Sequence, residues 1–425
     1  MLGHHLRGLT LDQPGGPDPE LVRHVAALAV WRRRSVEEQR FAFRSDDSPF
    51  LPSQEPSRGR VRLGLFCPCL GLGGAEAWQL ALIRAIDPAA VVWRGAVVTE
   101  GKRSVAPAML NDLASRVPVG FGLPAARTLA AATDVIISWS VLDHDALFQG
   151  VDSPPRVALA CHFPGELPWT DGAEVLLAQV DRLVAVSELA VESLPPARRA
   201  GVRIIWNAVD GSRLQPSRSA SLTRAAWGIP DGAKVAGYLG RLSPEKDPDA
   251  MLRLANELPA PWHVVIVGDG REHATMAEQV DRLGLTRVRL VPGSTAVGDV
   301  LAAFDTLVVP SKFESFGLTM AEGFWAGVPV VATRSGLAKL CPDLVREIGF
   351  DSSGTEIARA VLLDHGKEAS QRLARVARAR EFALNRLDLA RFGREWTDVV
   401  RDLARLGSMT DPKEAHSCRP MLTSG

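Results

Sequence analysis

From residue 61 onward, short apolar runs alternate with longer helical stretches, and the pattern occurs twice. The first series is "VRLGLF" (61–66), "AVVWRGAVVT" (90–99), "DVIISWS" (134–140), "RVALAC" (156–161) and "RLVAVS" (182–187). After "VRIIWNAVDGSRLQPSRSA" the second series runs "KVAGYLG" (234–240), "WHVVIVG" (262–268), "RVRLVPG" (287–293), "TLVVPS" (306–311) and "VPVVAT" (328–333). Short apolar strands separated by helices build a parallel sheet covered by those helices. The fold class is therefore α/β, with two doubly wound, Rossmann-like domains. Open parallel sheets bind ligands outside the carboxyl ends of their strands, so the expectation is two sheets facing across a cleft, with function in strand-end loops.

The chain's 425 residues agree with two domains of this kind. Residues 1–60 differ in character: a Pro/Gly-rich start, a helix near 19–44 and the linker "SDDSPFLPSQEPSRGR". The division expected is 1–60 as an extension, 61–206 as a first domain and 207–386 as a second. Residues 387–406 form a helix packing back across the domains, and 407–425 a disordered tail. In "LDLARFGREWTDVVRDLARL" the positions Leu389, Phe392, Trp396, Val399, Val400 and Leu403 mark the buried stripe of that helix.

Lys plus Arg equals Asp plus Glu at 49 each, so no global field favours nucleic acid or an anionic membrane. An anion must be held locally. The five cysteines have neither zinc spacing nor a CxxC pair, and Cys67 and Cys69 read as same-face thiols on a strand, which suits buried free thiols in a reducing cytoplasm. The first twenty residues lack the apolar core of a signal peptide, and no apolar run approaches the length of a membrane span. "WRRRS" (31–35), His4 and His5 read as solvated.

"CPCLGLGGAEAW" (67–78) follows the first strand and looks like a dinucleotide-binding loop. That fingerprint needs G-x-G-x-x-G, and Glu76 stands where the third glycine belongs. Gly73 and Gly74 still make a flexible strand-to-helix turn whose amides could face an anion.

The stretch richest in chemistry is "VVPSKFESFGLTMAEGFWAGVPVVAT" (308–333). A strand ends near Pro310, Glu314 follows in a loop, and Gly317 and Leu318 open a helix whose amides suit a phosphate. Glu314 and Glu322, with seven residues between them, each offer acceptors for a pair of hydroxyls, as on a sugar or a ribose. In "GYLGRLSPEKDPDAML" (237–252), Arg241 and Lys246 emerge after a buried strand and suit a diphosphate, one as a planar fork and the other as a compact charge. Gly268 in "VGDGREH" (267–273) lies at another strand-to-helix turn, placed to shape a pocket for a base. For each of these residues alone, a solvated loop charge or an ordinary turn is the competing reading.

In this order, the stretches resemble the glycosyltransferase family 4 proteins, retaining group 1 enzymes of the GT-B fold. The resemblance covers residues 61 to about 405 and is most specific over 234–333. It implies that Glu314 lies near the donor sugar hydroxyls and Glu322 on the ribose. Arg241 and Lys246 then hold the diphosphate, and Phe316, Gly317 and Leu318 form the pyrophosphate turn. Asn207 in "NAVD" matches the domain junction, Gly73, Gly74 and Glu76 match a "GGAE" loop, His162 matches a histidine lining the cleft, and Ser187 in "AVSELA" matches a serine common in that place. "RSGLAKLCPDLVREIGF" departs from the family's Gly-Gly and Pro-Glu pattern, which touches the upper wall of the donor pocket.

The activity implied is transfer of a sugar from a nucleoside-diphosphate sugar to a hydroxyl-bearing glycan or lipid-linked acceptor, with retention. It needs no cofactor and no metal, because Arg241 and Lys246 balance the leaving diphosphate. "DHD" (143–145) has the Asp-x-Asp form of a metal site but belongs to the first half. The setting implied is cytoplasmic, with peripheral contact at the inner membrane face, and no nucleic acid partner. Two alternatives remain open: a non-hydrolysing nucleotide-sugar epimerase, and a sugar-nucleotide-binding subunit that has lost catalysis.

Overall fold

Each series of apolar runs becomes one parallel sheet in the computed structural model, which describes residues 50–99, 105–162 and 171–408. The first sheet has seven strands: β1 (Val61–Cys67), β2 (Val91–Val98), β3 (Val119–Phe121), β4 (Val135–Ser138), β5 (Arg156–Cys161), β6 (Arg182–Ala185) and β7 (Arg203–Ile204). Their order is β3-β2-β1-β4-β5-β6-β7. The second has six: β8 (Lys234–Leu239), β9 (Trp262–Val267), β10 (Val288–Val291), β11 (Thr306–Val309), β12 (Val330–Thr333) and β13 (Arg346–Ile348), ordered β10-β9-β8-β11-β12-β13. The described residues fall into two compact units: those up to Asp210 together with Asn385 onward, and Gly211–Leu384.

All ten expected strands form. The three not anticipated, β3, β7 and β13, are edge strands of two or three residues. An edge strand is covered on fewer sides, so it carries no long apolar run to announce it.

Register is set by one device used three times. Asp134, Asp181 and Asp305 stand immediately before β4, β6 and β11. Each accepts the backbone N–H of the second residue of the neighbouring strand: Arg62 at 2.8 Å, Val157 at 2.7 Å and Val235 at 2.7 Å. Each carboxylate also holds a guanidinium, from Arg62, Arg156 and Arg224 at 2.6–2.9 Å. A slip of one residue would exchange the two faces of a strand, and these contacts oppose it at the sheet's entry edge.

The last helix, Leu389–Ser408, belongs to the first unit. Phe392, Trp396, Val399, Val400 and Leu403 are buried there with Leu63, Trp78 and Leu82. The rings of Trp78 and Trp396 meet edge-to-face at 5.5 Å. At Gly393 any side chain would strike the Ala85 carbonyl, since a Cβ would lie 1.9 Å from its oxygen. This close crossing brings the two helices together.

Residues 50–60, expected as linker, are fastened to the first unit. Phe50 lies over Gly95 and Gly120, where added Cβ atoms would come within 2.7 Å of its ring. Ser53 and Arg94 exchange a backbone bond and a guanidinium–carbonyl bond, both of 2.9 Å. The helix expected near 19–44, His4, His5, "WRRRS" and residues 409–425 lie outside the described residues. Cys69 is a correction: β1 ends at Cys67, so the two thiols do not share a strand face, and the Cys69 thiol instead reaches a Glu76 oxygen at 3.6 Å. Among the described residues no helix is long and apolar enough to cross a membrane.

Candidate functional site

In the six-stranded sheet the chain winds one way from β8 through β9 to β10, then returns to place β11 on the other side of β8. The loops after β8 and β11 therefore diverge at a switch point, the position where open parallel sheets leave a crevice. Both loops carry residues singled out from the sequence. They are joined through the backbone, Lys312 N donating to the Glu245 carbonyl at 2.9 Å. They are also joined through charge. Lys246 Nζ lies 2.8 Å from Glu314 Oε1, and Ser311 Oγ donates to the same oxygen at 2.9 Å. Lys246 occupies a 3₁₀ turn, Pro244–Lys246, which ends on Asp247 in the left-handed region at φ 46°. Asp247 is itself paired with Arg253 at 2.9 Å. Lys246 therefore stands on a braced turn, while Arg241, on the same loop, is exposed. The Arg241 carbonyl accepts the Tyr238 hydroxyl at 2.7 Å, which fixes the backbone beneath it.

Beyond Glu314 the chain turns into the helix Leu318–Ala326 through Gly317, whose φ of 88° suits glycine. Phe316, Gly317 and Leu318 form this turn, and the Gly317 N-cap offers no side-chain cap to the helix it opens. The divergent loop after β12 is built onto this turn. Leu337 N donates to the Phe316 carbonyl at 2.7 Å, and Gly336, at φ 52° and ψ −132°, lies against Glu314 and Phe316. Ser335 Oγ donates to the Ser311 carbonyl at 3.1 Å. The altered sequence thus keeps a wall against the Glu314 loop.

Glu322 lies within the helix, and burial pushes its carboxyl up to about 7, moderated by the Arg213 guanidinium. Gly268 has a reason internal to the fold: a Cβ there would sit 1.8 Å from the Gly240 carbonyl oxygen. The turns after β8 and β9 nest backbone on backbone. Ser311, Tyr238, Gly336 and Arg213 were not anticipated as parts of this constellation. Only Gly336 left a sequence signal, as the glycine retained inside the divergent "RSGLAKL".

In the first unit the corresponding switch point lies between β1 and β4. Gly73 caps the helix Gly74–Ala85 in an extended conformation. Glu76, in the first turn of that helix, is 6% exposed. A buried carboxylate at a helix N-terminus already occupies the position that favours negative charge. Glu76 therefore stands at the same turn as Gly73 and Gly74. His162 follows β5 directly. Its ring meets Trp78 at 4.9 Å and Trp139 at 6.3 Å, and burial lowers its pKa to about 3. It is neutral at physiological pH, able to hydrogen-bond but not to supply positive charge. Trp139, after β4, donates its indole N–H to Gln79 at 3.3 Å.

Ser187 caps the helix Glu188–Glu192 by accepting Ala190 N at 3.1 Å. Asn207 is buried, and Arg391 reaches its carbonyl at 3.4 Å. In "DHD", Asp143 caps the helix His144–Leu147 and His144 is buried. Among the described residues no group of three or more His, Cys, Asp or Glu is arranged to hold a metal ion.

Comparison with known proteins bears on the unit that holds Lys246 and Glu314. Residues 220–341 match the family Glycosyl transferases group 1. The group 1 match spans the loops after β8 and β11 and ends just past Gly336. Curated relatives include the D-inositol 3-phosphate glycosyltransferases of Mycolicibacterium smegmatis, 32% identical over 39% of this chain and 40% of that protein, and of Saccharomonospora viridis, 34% identical over 39% and 42%. The chain thus aligns with about two fifths of the length of these relatives. Among solved structures, HepE of Anabaena in complex with UDP-glucose superposes with a TM-score of 0.67 at 19% identity, covering 81% of this chain and all of that one. Sucrose-phosphate synthase of Thermosynechococcus elongatus gives 0.63 at 15% identity, over 82% of this chain and all of the other. WaaG, a glycosyltransferase involved in lipopolysaccharide biosynthesis, gives 0.57 at 17% identity, over 79% and 99%. The fold is the one these GT-B proteins share: two parallel-sheet, Rossmann-like domains.

Proposed function

We propose that the chain is a retaining, metal-independent glycosyltransferase of family 4 type, moving a sugar from a nucleoside-diphosphate sugar to a hydroxyl acceptor. The observation that carries this reading is the Lys246–Glu314 pair at the β8/β11 switch point, beside the helix end at Gly317. Breaking the donor's glycosidic bond puts negative charge on the leaving diphosphate and makes the sugar oxocarbenium-like. Lys246 has three donors and spends one on Glu314, which leaves others for a phosphate oxygen. Arg241 adds a planar fork on the same loop, and the amides after Gly317 add a fixed dipole. Together they stabilise charge where it develops, the service a metal ion would otherwise perform.

Glu314 remains an acceptor for sugar hydroxyls while holding Lys246, and Glu322 serves the ribose. No protein base is required if the leaving phosphate takes the acceptor proton on the face it departs from, which also accounts for retention. His162, Gly73 and Gly74 are assigned to the acceptor-side unit, with His162 acting as a neutral hydrogen-bonding group. The acceptor is a hydroxyl-bearing glycan or lipid-linked molecule and the setting cytoplasmic. The similarity of residues 220–341 to group 1 enzymes supports the donor class, and HepE was solved with UDP-glucose.

The test is a thermal-shift screen against UDP, GDP, ADP and their common sugars, followed by nucleotide release with candidate acceptors in excess chelator. Stabilisation by one nucleotide and acceptor-dependent release in chelator are expected. Release without any acceptor, loss of release restored by manganese, or an inverted anomer by NMR would each overturn a part of the proposal.

A further inference from the structure

Gly211–Leu214, a 3₁₀ turn ahead of the second sheet, is held more firmly than a connecting segment requires. Gly211 lies against the indole of Trp325, where a Cβ would come within 2.5 Å of the ring. Leu214 and Gln215 press on Gly298, where a Cβ would meet the Leu214 backbone at 2.6 Å. Just beyond, buried Asp299 accepts the Ser217 hydroxyl at 2.8 Å and Arg218 N at 3.1 Å. The turn is therefore clamped between the helices Val297–Ala302 and Leu318–Ala326.

Trp325 and Glu322 are three residues apart on the second of these helices and share one face. Gly323 faces the sheet instead, against Leu307 and Val330. The face that receives the turn is thus the face that bears Glu322, and Arg213 lies two residues from the Gly211–Trp325 contact. We infer that Arg213 is a positioning residue: the clamped turn sets its guanidinium beside Glu322, so that this glutamate meets a ligand as an oriented carboxylate able to accept a vicinal diol. This rests on the proposed nucleotide reading and adds to it a second residue on which ribose recognition depends.

The electrostatics agree. Burial raises the Glu322 carboxyl to about 7, and Arg213 is the charged group that opposes the rise. Of the other charges near this helix, Asp299 is engaged by Ser217 and Arg218 and Asp305 by Arg224 and Val235 N, while Arg380 lies against Gly327 at the helix's far end. A carboxylic acid offers one acceptor oxygen fewer than a carboxylate and cannot accept both hydroxyls of a diol equally. Arg213 thus governs how much of the protein is competent to bind a ribose at neutral pH.

The experiment uses the full chain with whichever of UDP, GDP and ADP binds tightest, and its 2′,3′-dideoxy counterpart, by calorimetry from pH 6 to 9. For the wild type, ribonucleotide affinity should rise as pH increases through about 7 and then level off, while the dideoxy affinity should not follow this rise. Arg213→Met should move the midpoint upward and weaken the ribonucleotide about fivefold at pH 7, as a shift of one unit in an acid half-ionised there requires. The dideoxy nucleotide should be unaffected, and Arg213→Lys should restore most of the midpoint. Glu322→Gln should abolish both the pH dependence and the ribo/dideoxy difference. If Arg213→Met weakens both nucleotides equally, or leaves the midpoint in place, the residue is structural and the inference fails. If the wild type binds a nucleotide but Glu322→Gln changes nothing, the diol is read elsewhere and the inference fails while the donor reading stands. If no nucleotide binds the wild type, both fail.

Discussion

Replacing Gly336 by alanine should disturb the Lys246–Glu314 site from the far side of its wall. The residue stands at φ 52° and ψ −132°, a combination outside the left-handed helical well that other residues enter, and a strained backbone of this kind costs about 1–3 kcal/mol. The new Cβ would lie 2.6 Å from the Phe316 carbonyl oxygen and 2.7 Å from Glu314 Cβ. Both are backbone or backbone-adjacent atoms with no flexible end to swing aside, so the Glu314 loop must retreat by about 0.8 Å to reach normal contact. The Leu337–Phe316 hydrogen bond, 2.7 Å in the wild type, is then stretched or lost, adding about 1 kcal/mol. A total near 3 kcal/mol should lower Tm by about 6–12 °C in a unit of this size. A displacement approaching 1 Å at a binding loop should reduce kcat/KM for transfer by up to about 100-fold. The control is Gly284→Ala. That glycine also has positive φ, at 61°, but nothing lies within 4 Å of its added Cβ. It should lose only about 1–2 kcal/mol and no activity. Differential scanning calorimetry and donor-saturated kinetics on the two variants isolate the contact from the strain. Equal Tm losses with unchanged kcat/KM in both would refute the claim that the loop after β12 supports the site.

Other consequences can be checked separately. Lys246→Met keeps the side-chain stem but leaves Glu314 with Ser311 alone. As the pair is partly exposed, chemical denaturation should show a loss of only about 1 kcal/mol, while turnover should fall about 10- to 100-fold through one lost charge-assisted contact. His144 is buried with its pKa lowered to about 4 from 6.5, so its neutral form contributes stability that is complete above pH 6.5 and is lost as pH falls toward 4. His144→Phe should therefore match the wild type near pH 7.5 and resist urea better at pH 4.5, by about 2–3 kcal/mol. Phe50→Ala should cost about 2 kcal/mol in urea unfolding, for a half-buried ring removed from the Gly95 and Gly120 slot. A loss below 0.5 kcal/mol would mean that residues 50–60 are only resting on the surface.

The fold was legible where burial is complete. Runs such as "VIIS" and "TLVV" are apolar because every side chain on a central strand is covered, and each follows directly on the aspartate that fastens its neighbour. β3, β7 and β13 were not legible, because two or three residues at a sheet edge leave too little pattern to distinguish from a loop. At the site, Lys246 and Glu314 could be nominated from their places after apolar strands. Their mutual contact could not, since it depends on β8 and β11 lying side by side, a fact of topology and not of spacing. Gly268 was nominated from its place after an apolar strand, while the Gly240 carbonyl packed against it depends on β8 and β9 lying side by side. Arg213 was invisible because its significance arises only from a helix more than a hundred residues later.

The helix Leu389–Ser408 has a consequence for how the molecule is made. The first unit begins at the amino-terminal side of the chain, yet Phe392 and Trp396, which close its core around Trp78, are the product of a much later stage of synthesis. Domains usually complete themselves in the order in which they leave the ribosome. Here the second unit, Gly211–Leu384, is fully synthesised while the first still lacks a wall. The part of the protein that starts first must finish last, and until it does, the apolar surface around Trp78 is one that chaperones would be expected to guard.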